Sequence, residues 1–159
     1  MKKLLILIML LSAIGAEAQR ITTKVKVEKD EEQEMVAGSF MVGSDCSSCN
    51  NGYRLEQVKY SRFDKPASSA YETFQVTNTT DRTLKAVGLF LEYRTLDGAQ
   101  LHKRYVRLDC NVPAGESRML SVRSFDKQKS YYFKGSSKPR KRATPFDVIF
   151  DPVAYYLSF

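Results

Sequence analysis

Histidine and cysteine are scarce in this chain of 159 residues: one histidine, His102, and three cysteines, Cys46, Cys49 and Cys110. A zinc centre needs several such ligands together. Strand alternation turns Cys110 inward and places His102 in a different part of the same return strand, so no metal and no cofactor are expected. No recognisable motif sets a serine or cysteine nucleophile beside His102, and Lys103 and Arg104 disfavour its protonated form. His102 is read as an exposed strand histidine, and the chain as non-enzymatic. Asp64, Asp97, Asp126 and Asp151 are scattered over turns and strand ends, where turn chemistry explains them. There is no internal repeat and no sustained helical period. No basic face studded with aromatics is evident either, which argues against a nucleic-acid partner.

The first residues are the most informative part of what is present. Lys2 and Lys3 precede an apolar run over residues 4–14, and Ala16-Glu17-Ala18 stands before Gln19. A basic start, a short apolar segment and small residues three and one before a cut are read by signal peptidase. Cleavage after Ala18 is expected, with Gln19 as the new N-terminus; no cysteine follows the apolar run, so no lipid anchor is expected. Removing 18 of 159 residues leaves 141, enough for one domain with a real core. Cleavage also takes two lysines and one glutamate from a chain of net charge +7, leaving +6. The charge is uneven, with an acidic cluster at Glu28, Asp30, Glu31, Glu32 and Glu34 followed by a basic remainder. An exported basic domain, periplasmic or extracellular, is expected to meet an anionic glycan, a lipid headgroup or an acidic envelope protein.

Alternation defines the strands. Ile21, Thr23, Val25 and Val27 share one side of a short strand, and residues 35–42 are apolar. Residues 53–63 read as one strand only with a bulge or a change of face, and Asp64-Lys65-Pro66 stops them. Residues 70–77 set Glu72, Phe74 and Val76 against Tyr71, Thr73 and Gln75. Residues 84–94 are the clearest strand, with Val87, Leu89, Leu91 and Tyr93 on one face, and should be central. Asp97-Gly98 marks a hairpin, and residues 99–112 return with Val106, Leu108, Cys110 and Val112 on one face. A turn at 113–116 leads to Leu120 and Val122, then to an aromatic run at 130–134. Two last apolar runs, 146–150 and 153–157, are separated by Asp151-Pro152. About seven short strands at spacings near ten residues predict an all-β, antiparallel β-sandwich. The organisation is expected to be a leader (1–18), an N-terminal arm with one or two strands and a Cys-x-x-Cys loop (19–52), and the sandwich (53–159).

Phe74-Gln75-Val76-Thr77-Asn78-Thr79-Thr80, then Val87-Gly88-Leu89-Phe90-Leu91-Glu92-Tyr93 with Asp97-Gly98, then Val112-Pro113-Ala114-Gly115-Glu116 form an order that resembles the FxLyD-type immunoglobulin-like modules of exported bacterial proteins. The resemblance covers about residues 70–125, with Glu92-Tyr93 standing where the family has its Tyr-Asp pair. It implies an immunoglobulin-like fold and a surface or envelope setting. It carries no catalytic residues.

Two features hold candidate chemistry. Cys46-Ser47-Ser48-Cys49 lies in a turn-rich run, without the strand-then-helix surroundings that lower a thiol pKa in oxidoreductases. A structural disulfide between Cys46 and Cys49 is expected, with Cys110 a buried thiol; a bridge from Cys110 to either one, or a thiol-active exported protein using Cys46 and Cys49, is the alternative. The second feature is the loop 135–145, where Lys138, Arg140, Lys141 and Arg142 lie between turn formers and could grip sulfate, carboxylate or phosphate groups. Asn78-Thr79-Thr80 also fits a glycosylation acceptor. A small outer-membrane β-barrel is a rival architecture, suggested by Val153, Tyr155, Leu157 and Phe159. Pro145 and Pro152 in the final strand and the scarcity of long apolar bands argue against it. The function expected is that of an exported binding or accessory module.

Overall fold

The computed structural model describes residues 38–45 and 50–159. The leader, the strand at 21–27 and the pair Cys46 and Cys49 fall outside these residues. Eight strands are present among those described: β1 Ser39–Gly43, β2 Val58–Asp64, β3 Tyr71–Asn78, β4 Leu84–Thr95, β5 Gln100–Val112, β6 Ser117–Arg123, β7 Tyr131–Phe133 and β8 Thr144–Ser158. They form two sheets. The larger runs β1-β8-β4-β5 with the short β7 alongside the start of β8, and the smaller runs β2-β3-β6. All pairings are antiparallel except β7 with β8.

The inward faces of both sheets meet in one core, giving the all-β, sandwich-like arrangement expected. Val58, Phe63, Phe74, Val76 and Leu120 of the smaller sheet pack with Val87, Leu89, Leu91, Val106, Cys110, Phe146, Tyr155 and Leu157 of the larger. β4 is central as expected, held between β5 and β8, and Val87, Leu89, Leu91 and Tyr93 are fully buried. Leu120 is buried, whereas Val122 near the end of β6 is only partly covered. β1 comes from the segment read as an arm and adds an edge strand beside β8, Phe40 opposite Leu157 and Val42 opposite Tyr155.

The bulge expected between residues 53 and 63 lies between Ser61 and Asp64, with Arg62 at φ +51°. The β4–β5 hairpin turns at Gly98 (φ +93°), a left-handed conformation that costs glycine nothing. One expectation is corrected. Asp151-Pro152 does not separate two strands: β8 is continuous from Thr144 to Ser158. The sheet absorbs the proline in a bulge, pairing Leu89 with Pro152 and Gly88 with Ala154 while Val153 is passed over. The Val153 carbonyl instead accepts from the Ser44 N–H. A bulge is one of the few places where a residue without an N–H fits inside a sheet.

At one end of the sandwich Asn78 joins two turns. Its side-chain amide donates to the carbonyls of Arg82 (2.7 Å), Val112 (3.0 Å) and Pro113 (3.1 Å), and its Oδ1 accepts from Thr80. The Asn78 side chain is thus buried and spoken for, which corrects the reading of Asn78-Thr79-Thr80 as a glycosylation acceptor: the folded domain leaves no room for a glycan there.

Candidate functional site

The opposite end is built from the β2–β3 loop, the β4–β5 hairpin, the β6–β7 loop and the basic β7–β8 loop. Parallel pairing of Tyr131–Phe133 with Thr144–Phe146 fixes the two stems of the basic loop side by side. Phe133 packs edge-on against Phe63 at 5.1 Å and so ties the first stem into the core. Its ring also lies over Gly135, where any Cβ would come within 2.6 Å of the ring, so the loop needs glycine at that position. The Ser136 hydroxyl bonds Asp64 at the end of β2 and accepts from the Lys65 N–H at 3.0 Å. Beyond this anchored base Lys138, Arg140, Lys141 and Arg142 are exposed, and none of the four is in an ion pair with a described residue. Lys134, on the stem, is paired with Asp147. The arrangement presents, from an anchored base, four cations with no ion-pair partner among the described residues, suited to charge-assisted hydrogen bonds with carboxylate, sulfate or phosphate oxygens.

Two buried polar clusters support this end, and sequence reasoning did not identify either. Lys65 is fully buried, and its ammonium donates to Asp126 Oδ2 (3.0 Å) and to the Tyr131 carbonyl (2.7 Å). Asp126 also accepts from the backbone N–H groups of Ser130 (3.1 Å) and Tyr131 (2.8 Å). Burial opposes ionisation of Asp126, but the Tyr131 N–H, the Lys65 ammonium and the Ser130 N–H together outweigh it and hold the carboxyl below its usual range. Asp126 is therefore more than a turn residue. It organises the β6–β7 loop and clamps it to the end of β2. Asp151, also read as a turn acid, lies within β8 and pairs with Lys103 at 3.1 Å.

The second cluster centres on Glu72, fully buried on β3. Its Oε2 accepts from the Tyr93 hydroxyl (2.6 Å) and from Arg104 (3.0 Å), while Oε1 accepts from the Phe125 N–H (3.1 Å). Arg104 also donates to the Tyr93 hydroxyl at 2.9 Å. Burial, reinforced by the Glu72 charge, pushes the Tyr93 phenol far above its ordinary range, so it stays a donor. Glu72 stood in phase with Phe74 and Val76, and a carboxylate in the core phase demands a partner; that was the available signal. Nothing in local pattern pointed to Lys65. Among the described residues no buried side-chain polar atom lacks a hydrogen-bond partner, so both clusters are closed networks without a free reactive group.

His102 is exposed, its ring stacked on Phe125 (5.6 Å) and Tyr93 (5.9 Å) rather than set beside a nucleophile. Cys110 faces the core as a free thiol near the Leu84 carbonyl, and burial pushes its pKa up to about 11. Cys46 and Cys49 are not among the described residues, and their pairing stays an expectation. No group of three or more His, Cys, Asp or Glu side chains poised to hold a metal occurs among the described residues. No helix among them is long and apolar enough to cross a membrane. In comparisons with known proteins, no family model, no curated protein and no solved structure matches this chain.

Proposed function

We propose that this chain is an exported, non-enzymatic immunoglobulin-like domain acting as a binding or accessory module in the cell envelope or outside the cell, with Lys138, Arg140, Lys141 and Arg142 holding an anionic partner. The observation that carries the reading is the contrast at one end of the sandwich. Buried charges there are fully paired, whereas four cations on an anchored loop form no ion pair with any described residue. Export rests on the leader pattern of residues 1–18.

The strand wiring supports the immunoglobulin-like part. An immunoglobulin domain sets A-B-E-D against C-F-G, with C′ added beside C in variable types. Here β2-β3-β6 follows A-B-E and β5-β4-β8 follows C′-C-F, while β1 takes the place beside F that strand G holds. The likeness to FxLyD-type modules fits the same wiring, since Asn78 bonds the turn at 113–116 that closes the motif.

The test is binding of the exported protein to carboxylated, sulfated and phosphorylated polymers and to anionic vesicles at low and physiological salt. The proposal expects at least one of them to bind and the interaction to weaken as salt rises, because exposed charges are screened over about 8 Å at physiological ionic strength. Replacing the four loop cations by serine should remove binding with the melting temperature unchanged. Absence of binding to every anionic surface, or equal binding by the substituted protein, refutes the reading.

A further inference from the structure

The outward face of the smaller sheet is ordered into cross-strand rows: Lys59, Thr77 and Ser117; Ser61, Gln75 and Met119; Asp64, Thr73 and Ser121; Tyr71 and Arg123. Strand geometry makes this face about 20 Å long and three strands wide. Its side chains are mostly hydroxyls and an amide, groups that both donate and accept hydrogen bonds. Tyr71 and Met119 are large apolar bodies left 48% and 52% exposed. A shallow depression of about 130 Å³ sits among Arg62, Gln75, Ser117, Arg118 and Met119.

Charge sets this face apart from the outside of the larger sheet. There Arg94 and Lys103 pair with Glu92, and Lys103 also with Asp151. On the smaller sheet Lys59, Arg62 and Arg123 form no ion pair with any described residue, and Arg123 lies instead over the Tyr71 ring at 5.7 Å. Asp64, at the end of β2, is the one carboxylate in an outward position of β2, β3 or β6, and it is taken up by Ser136 at the base of the basic loop. The same contact brings the basic loop to the edge of this face.

We infer that the outer face of the smaller sheet binds a carboxylated polysaccharide as an extended chain that continues onto the basic loop. Hydroxyl and amide rows match sugar hydroxyls, the half-exposed Tyr71 ring offers apolar surface to a pyranose, and Lys59, Arg62 and Arg123 meet the carboxylates. This face has too little apolar surface, Tyr71 and Met119 alone, to enter a bilayer. The inference rests on the anion-binding reading above and adds its substrate class and a second surface.

The test uses polygalacturonate as probe, neutral dextran of similar length as control and phosphatidylglycerol vesicles as the lipid arm, each titrated into the exported protein by calorimetry. Tyr71→Ala combined with Gln75→Ala removes face contacts without altering charge, and an unchanged melting temperature reports intact folding. The wild type should bind polygalacturonate and not dextran. The face variant should bind it about tenfold more weakly, equivalent to about 1.4 kcal/mol. If the face variant binds as tightly as wild type while the loop variant loses binding, this inference fails and the loop reading stands. Binding to vesicles without binding to polygalacturonate also overturns the inference and leaves the loop reading in place. If neither probe binds and the sulfated and phosphorylated polymers also fail, both fall together.

Discussion

Replacing Asp126 by alanine should unfold this domain more readily than almost any other single polar change. Lys65 is fully buried and the Asp126 side chain nearly so, so the variant leaves an ammonium in the interior with only the Tyr131 carbonyl for company. Breaking a buried ion pair from one side typically costs about 3–5 kcal/mol. The Ser130 and Tyr131 N–H groups lose their acceptor as well, and a buried unsatisfied group adds about 1–3 kcal/mol. Lys65→Met should cost less, because Asp126 keeps two backbone donors. The double variant should be more stable than the sum of the two single losses implies, since it removes the stranded charge. Urea unfolding followed by far-ultraviolet circular dichroism reads this directly. With a slope of about 1–3 kcal/mol per molar urea, a loss of about 4 kcal/mol moves the midpoint by about 2 M. The acid limb offers an independent readout. Asp126 is held below the unfolded aspartate value of about 3.9, so its stabilisation is present above that pH and disappears as the pH falls through the lower folded value. Asp126→Asn should lack that component of acid sensitivity. A midpoint for Asp126→Ala within about 0.2 M of wild type, corresponding to less than about 0.5 kcal/mol, would refute the argument that this pair holds the end of the sandwich.

Other consequences follow from the core and the turns. Leu89→Ala, at a fully buried site on the central strand, should cost about 2–5 kcal/mol in the same urea assay. Asn78→Ala should cost more than about 2 kcal/mol, because several turn groups lose their partner together. Cys110 should resist thiol reagents at pH 8 in the native protein and react fully in denaturant, since burial pushes the native pKa up to about 11 and keeps the thiol protonated; rapid native labelling would contradict its placement. Mass spectrometry of exported protein should show loss of residues 1–18, and a retained leader would overturn the export reading.

The parts of the fold that depend on local alternation were legible in the residues. β4 and β5 follow from the spacing of Val87, Leu89, Leu91, Tyr93, Val106, Cys110 and Val112, because a strand with one covered face must place apolar groups at every second position. The bulge in β2 was legible for the same reason, as the spacing of Val58, Tyr60 and Phe63 breaks the period of two. The bulge in β8 was not: a proline after an aspartate looks like a stop signal, and only the pairing with Gly88 and Leu89 shows how the sheet carries it. The clamp between Lys65 and Asp126 was hidden by distance along the chain, since a lone aspartate near two lysines reads as an ordinary turn. The basic loop was fully legible as composition. Its fixed base at Phe133, Gly135 and Ser136 depends on contacts with β2, which no local pattern announces.

The most direct measurement of the central claim is the salt dependence of affinity for the anionic polymer that binds best in the panel, compared between wild type and the variant with Lys138, Arg140, Lys141 and Arg142 all changed to serine. Neutralising polymer charges releases counterions, so the logarithm of the binding constant should fall linearly with the logarithm of salt concentration, with a slope set by the number of contacts. A steep slope is expected for the wild type and a much shallower one, or no measurable binding, for the variant, with equal melting temperatures. Identical slopes and affinities for the two proteins would contradict it.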